Sequence, residues 1–118
     1  MGTFSVTIEA GDPQAQRFRS VEALVDTGAS YTTLPTSFLR DLRVSPHGKR
    51  PFLLATGDIV VREIGRTWVR IDGRVEMTIV VFGEEGASPL LGAVTLEEFG
   101  LSVDPVARKL VPVPGLLT

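Results

Sequence analysis

The sequence predicts an all-β domain, a closed or nearly closed barrel that carries two short helices. Three observations lead there. Apolar and polar residues alternate over short runs, as in Phe4, Val6 and Ile8, which is the period of a half-buried strand. Gly, Pro and Asp interrupt these runs at close intervals. Only two short segments place apolar residues at helical spacing, so helices cannot form the main layer.

In chain order, the first strand breaks at Gly11-Asp12-Pro13. A second extended run over residues 17–25 ends on Ala23-Leu24-Val25. Residues 31–34, Tyr-Thr-Thr-Leu, form a third, stopped by Pro35. Thr36 is the expected N-cap of a helix through Leu42 with Phe38, Leu39 and Leu42 on its apolar face. Residues 44–50, with Pro46 and Gly48, read as loop. Phe52-Leu53-Leu54-Ala55 leads into a turn at Thr56-Gly57-Asp58, and a long strand follows over 59–71. Asp72-Gly73 signals a hairpin, because both positions accept positive φ, and 75–82 is the return strand. After a turn-rich loop over 83–88 comes the apolar Pro89-Leu90-Leu91-Gly92. A second helix is expected over 95–99, ended by Gly100. Residues 101–103 and 109–113 are short strands around Asp104-Pro105. Ala23-Leu24-Val25-Asp26-Thr27-Gly28 and Ser88-Pro89-Leu90-Leu91-Gly92 echo each other: each is an apolar run with a glycine, leading towards a helix.

The 118 residues suit a single domain, 1–118, able to bury roughly two-thirds of its unfolded surface. The chain has no cysteine, which rules out disulfides and thiol chemistry and fits a reducing, cytoplasmic compartment. One histidine, His47, excludes any multi-histidine metal site. A net charge of −2 with mixed signs leaves no footprint for nucleic acid. Residues 1–10 lack the basic head and long apolar run of a secretory signal. No apolar stretch approaches the roughly 20 residues that span a bilayer; no membrane partner is expected.

Chemistry concentrates in Ala23-Leu24-Val25-Asp26-Thr27-Gly28-Ala29-Ser30. An apolar strand delivers a carboxylate to a turn, so Asp26 rides on stiff backbone. Thr27 donates and accepts hydrogen bonds beside it. Gly28 permits close approach and turns its N–H to the carboxylate, and Ala29 and Ser30 keep the space open. The plainer alternative is an Asp that only forms a turn. Context weighs against it: the apolar run before, the small residues after, and the apolar-apolar-Gly triplet downstream.

These motifs resemble the retropepsin-like aspartic proteases, in their bacterial and archaeal soluble branch. Asp26-Thr27-Gly28-Ala29 matches the family's Asp-Thr/Ser-Gly-Ala loop, Ala55-Thr56-Gly57-Asp58 its flap tip, and Leu90-Leu91-Gly92 its second apolar-Gly motif. Leu101-Ser102-Val103-Asp104-Pro105 and Lys109-Leu110-Val111-Pro112-Val113 resemble its C-terminal end. The resemblance implies a closed acid-protease barrel and an aspartic endopeptidase whose only catalytic residue is Asp26. It departs from the viral members, where an acidic residue after the first motif pairs with an arginine after the second glycine. Ser30 and Ala93 stand there instead, so the dimer contacts differ.

The chemistry implied needs two carboxylates roughly 3 Å apart sharing one proton. One motif in a chain this short implies a homodimer, with Thr27 bonding across the interface, Gly28 N–H groups holding the carboxylates, and a flap around Gly57 closing on an extended peptide or unfolded protein. No cofactor or metal is needed, because the dyad activates water itself. The competing readings are a catalytically silent peptide-binding or assembly module, and an unrelated barrel with a chance motif. Val80, Phe82 and Leu90 are candidate pocket residues. Asp58, Asp72 and Asp104 read as turn formers, His47 as an exposed bystander, Trp68 as packing, and Glu84-Glu85 and Glu97-Glu98 as solvated. Asp12 and Asp41 lack a supporting constellation. Arg62, Arg66, Arg70 and Arg74 recur every four residues, which on a strand is one solvated face or, alternatively, a surface for acidic peptides.

Overall fold

The computed structural model describes residues 3–117; Met1, Gly2 and Thr118, the ends of the expected 1–118 span, lie outside it. The order of elements is β1 (Ser5–Gly11), β2 (Phe18–Val25), β3 (Thr32–Pro35), α1 (Thr36–Asp41), β4 (Gly48–Leu53), β5 (Ile59–Ile71), β6 (Arg74–Gly83), β7 (Leu90–Leu91), α2 (Ala93–Glu98), β8 (Leu101–Asp104) and β9 (Lys109–Pro112). The expected all-β class with two short helices is what the chain adopts.

Neighbouring strands run β1-β2-β7-β3-β6-β5-β4, and β5 also pairs back to β1 from Glu9↔Arg70 to Gly11↔Trp68. The sheet therefore closes on itself, which removes exposed edges from six of its strands. β4 hangs outside the ring on the far half of β5, so β4 and β5 project as a hairpin. β8 and β9 form a separate two-stranded sheet.

Pleating sorts the side chains into three clusters. Ile8, Ala23, Val25, Val69, Ile71, Leu91, Leu96 and Phe99 form one core. Ala10, Leu34, Leu39, Leu42, Val44, Val80 and Phe82 form a second, beneath α1. Ile64, Ile79 and Val81 form a third on the opposite face of β5 and β6, covered by Tyr31, Phe52 and Val94. Residues 78–83 of β6 are thus buried on both faces, which fits the apolar run Ile79-Val80-Val81-Phe82 within them. Val80 and Phe82 are 0% and 4% exposed. They are core residues packed beneath α1, where the expectation above had them at a pocket surface.

Local differences have local causes. Thr36 is the first residue of α1 rather than its cap; Pro35 precedes it with extended backbone. The Thr36 hydroxyl donates to the Gly83 carbonyl at 2.8 Å instead. Gly48 to Arg50 are strand, not loop, because β5 offers partners from Gly48↔Ile64 onward. α2 begins two residues before the expected start, at Ala93. The hairpin at Asp72-Gly73 takes the expected form, with φ of 50° and 82°, the left-handed pair of a type I′ turn.

The start of α1 is held from outside. The Ser37 N–H and hydroxyl both donate to the Glu85 carboxylate, at 2.8 and 2.6 Å. The Ser37 hydroxyl first and its N–H second hold the Glu85 carboxyl below its ordinary value of 4.5. A lowered folded pKa gives stability that is complete above that ordinary value and lost as pH falls through the lowered one. Thermal melts between about pH 5 and pH 3 should therefore show Glu85→Gln losing less stability on acidification than the parent chain.

Candidate active site

β2 enters the interior through the buried Ala23 and Val25 and emerges at Asp26, which is half-buried. Its N–H donates to the Leu91 carbonyl at 3.0 Å, and its carbonyl accepts from Ala29 N–H at 3.1 Å. The Gly28 N–H donates to Asp26 Oδ1 at 3.0 Å. A Cβ at Gly28 would stand 3.2 Å from the same oxygen, so glycine leaves that approach free. Among the described residues no cationic side chain pairs with Asp26. Thr27, Gly28 and Ser30 are exposed, leaving this side of the carboxylate open.

The two echoing segments lie side by side. β7 runs parallel to β2, with Leu24↔Leu90 and Val25↔Leu91, and antiparallel to β3 at Thr33↔Leu90. Leu24 N–H donates to Pro89 O at 2.9 Å; Ala93 and Val94 N–H donate to Ala29 and Ser30 carbonyls at 2.8 and 2.9 Å. Leu90, Leu91 and Gly92 thus strap the Asp26 loop by main-chain bonds, with Ser30 and Ala93 inside the strap. A Cβ on Gly92 would come within 2.5 Å of the Tyr31 carbonyl carbon, so only glycine permits this crossing.

Behind the strap runs a chain of buried hydroxyls. Gly92 N–H donates to Thr32 Oγ1 at 3.1 Å, Thr32 meets Thr95 at 2.6 Å, Thr95 meets Thr78 at 2.8 Å, and Thr78 donates to Glu98 Oε1 at 2.6 Å. An amide at one end and a carboxylate at the other give every hydroxyl the same sense: Thr32 donates to Thr95, and Thr95 to Thr78. All three threonines are fully buried. Thr95→Val should cost about 1–3 kcal/mol in chemical denaturation, because it strands the Thr32 proton, while Thr95→Ser should cost less. Sequence reading missed this chain; alternation alone does not distinguish a buried threonine from a valine of the same shape.

The proposed flap residues Ala55, Thr56, Gly57 and Asp58 are an exposed hairpin turn. Leu54 N–H donates to Asp58 O and Gly57 N–H to Leu54 O, at 2.8 and 2.9 Å, and Gly57 takes φ +92°. Asp58 bonds Thr56 at 3.1 Å, as a turn aspartate does. Among the described residues no hydrogen bond joins this tip to the Asp26 loop. The junction lies lower on the hairpin. Arg50 donates to the Tyr31 hydroxyl, its guanidinium 5.4 Å from that ring's centroid, and Phe52 packs edge-on to Tyr31 at 5.9 Å. Sequence reading missed this contact, because it placed Arg50 in a loop and the strand pairing that aims Arg50 at Tyr31 is set by β5.

The other candidates take structural roles. Asp104 Oδ1 accepts from Val106 and Ala107 N–H at 3.0 and 3.1 Å, and Asp12 Oδ1 accepts from Gln16 and Arg17 N–H at 2.7 and 3.0 Å. Asp41 pairs with Arg19 at 3.1 Å. His47 is exposed. Trp68 is half-buried and donates to Pro13 O at 3.1 Å. In the arginine series, Arg62 pairs with Glu84, Arg70 with Glu9, and Arg74, beyond the turn on β6, with Glu76. Leu90 is half-buried between β2 and β3. Among the described residues no helix is long and apolar enough to cross a membrane, and no cluster of three or more acidic, His or Cys side chains is placed to hold a metal ion.

Thr27 also borders an open cavity of about 370 Å³ between α2, β8 and the tail through Val113 and Leu116.

This architecture is shared with solved proteases. The simian foamy virus (mac) protease superposes with a TM-score of 0.54 at 19% identity, over 80% of this chain and 94% of that one. The EIAV protease, solved with an inhibitor, gives 0.56 at 19%, over 84% and 89%. A retropepsin-like aspartic protease from Rickettsia conorii gives 0.56 at 22%, over 87% and 88%. At these identities the likeness establishes the retropepsin-like fold. No curated protein sequence matches the chain. The family model described as aspartyl protease matches residues 5–95, a span that holds the Asp26 loop, the hairpin and the Gly92 strap together, and the chain belongs to that aspartyl protease family.

Proposed function

We propose that residues 1–118 form one half-site of a homodimeric aspartic endopeptidase, in which Asp26 from each copy meets at a two-fold axis. The observation that carries this reading is the Asp26 loop itself. It holds a carboxylate bonded by Gly28 N–H, strapped by main-chain bonds, and open on the side where Thr27 and Gly28 are exposed. One such carboxylate is half of the required pair.

Two carboxylates brought to roughly 3 Å share a single proton, which belongs to the pair. The ionised member takes a proton from a water between them; the protonated member polarises the scissile carbonyl and then protonates the departing amine. The Gly28 N–H orients the carboxylate in either copy. Thr27 lies beside the open cavity and supplies a hydroxyl for a bond across the axis. The exposed Leu116 and Leu117, 96% and 99% accessible in one chain, give a second copy apolar surface to cover. The turn at 54–58 closes over an extended peptide and excludes water.

The test is digestion of an unstructured protein such as casein, with and without pepstatin, alongside sedimentation at the assay concentration. Pepstatin-sensitive cleavage by a dimer is the expected result. A strictly monomeric chain, or cleavage indifferent to pepstatin, contradicts the reading.

A further inference from the structure

Two arginines face each other across the projecting hairpin. Arg50 on β4 is the direct partner of Arg62 on β5, and direct partners lie on the same face of a sheet, where like charges repel. The same face carries Phe52 with Val60 and Gly48 with Ile64. Phe52 and Ile64 join Tyr31 and Val94 in one apolar cluster. Tyr31 continues from the Asp26 loop, and Val94 is bonded to Ser30 in it. The face with both guanidiniums is therefore the face turned towards the Asp26 loop. The opposite face, with Leu53 and Ile59 at 73% and 70% exposure, looks away.

The two charges are met differently. Arg62 pairs with Glu84 at 2.6 Å. Arg50 has no carboxylate partner among the described residues. Its guanidinium is oriented by the Tyr31 ring and hydroxyl, a neutral partner that occupies one of five N–H donors and cancels no charge. The result is a cation fixed in direction, with open donors, and suited to a carboxylate. From Asp26 to Tyr31 the chain can span at most about 18 Å, the length of roughly five extended residues.

We propose that Arg50, oriented by Tyr31 and Phe52, is a specificity-determining residue that selects peptides with an acidic side chain flanking the cleaved bond. As a statement about substrates it rests on the peptidase reading of Asp26.

The experiment uses the full chain carrying Asp26→Asn, so that binding is read without turnover. Fluorescein-labelled peptides share one apolar centre and differ only in having Glu, Gln or Lys on its flanks; anisotropy gives their affinities. The Glu peptide should bind about fivefold more tightly than the Gln peptide, with the Lys peptide weakest and the preference shrinking as salt is added. Arg50→Gln should bring the Glu-to-Gln ratio close to one, and Arg50→Glu should favour the Lys peptide. A general loss of structure flattens the ratio but does not reverse it, so Arg50→Glu is the deciding variant. Equal binding of Glu and Gln peptides, a ratio indifferent to Arg50→Glu, or no binding of any peptide overturns the proposal. The same peptides are offered to the chain with Asp26 intact. Preference in binding without cleavage defeats the peptidase reading and leaves selection by Arg50 standing; cleavage without preference does the reverse.

Discussion

Asp26→Asn should reduce peptide-bond hydrolysis by about 10³-fold or more and leave the fold in place. Asparagine has the shape of aspartate, and its side-chain oxygen can still accept the Gly28 N–H that now reaches Asp26 Oδ1 at 3.0 Å. The backbone bonds to Leu91 and Ala29 do not involve the side chain at all. What is lost is ionisation: an amide neither takes a proton from water nor returns one to the leaving amine. Digestion of an unfolded protein substrate measures the loss, and circular dichroism with sedimentation checks that structure and association survive. Hydrolysis by the variant at the parent rate removes Asp26 from the chemistry.

The second large effect is on stability. Gly92→Ala places a methyl carbon 2.5 Å from the Tyr31 carbonyl carbon and 2.9 Å from Thr32 N. These are backbone atoms within the strap, so no side-chain rotation relieves the clash. Separating the segments would stretch the Gly92–Thr32 bond and the bonds from Ala93 and Val94 to the Asp26 loop. A cost of about 3 kcal/mol is expected, a fall in Tm of about 10–20 °C at fixed protein concentration. Gly57→Ala is the instructive contrast. Its Cβ meets nothing within 4 Å, and only its φ of +92° opposes the change, so the cost should be about 1 kcal/mol. Equal melting temperatures for Gly92→Ala and the parent would show that the strap yields.

How far the sequence could be read depended on how local each cause was. The bounds of β5 and the turn at Asp72-Gly73 follow from alternation and from two residues that accept positive φ. The Asp26 motif is contiguous, and so is the Leu90-Leu91-Gly92 run. β4 was legible only in its second half. Gly48-Lys49-Arg50 carries no apolar alternation, and it becomes strand because β5 presents unpaired backbone beside it. The buried threonine chain joins residues 63 positions apart, and the Arg50–Tyr31 contact joins residues 19 apart. Neither spacing has a periodic signature. Val80 and Phe82 were misplaced for a related reason: an apolar run in a strand looks the same whether it faces a pocket or two cores.

The claim on which the rest depends is that two chains complete one catalytic site, and subunit mixing tests it most directly. Parent and Asp26→Asn chains are combined at constant total concentration, allowed to exchange, and assayed at several proportions. If both carboxylates of a pair are required, only dimers of two parent chains cleave, and activity falls as the square of the parent fraction, to about one quarter at an equal mixture. Activity proportional to the parent fraction itself would mean that each chain works alone, and would contradict the shared site.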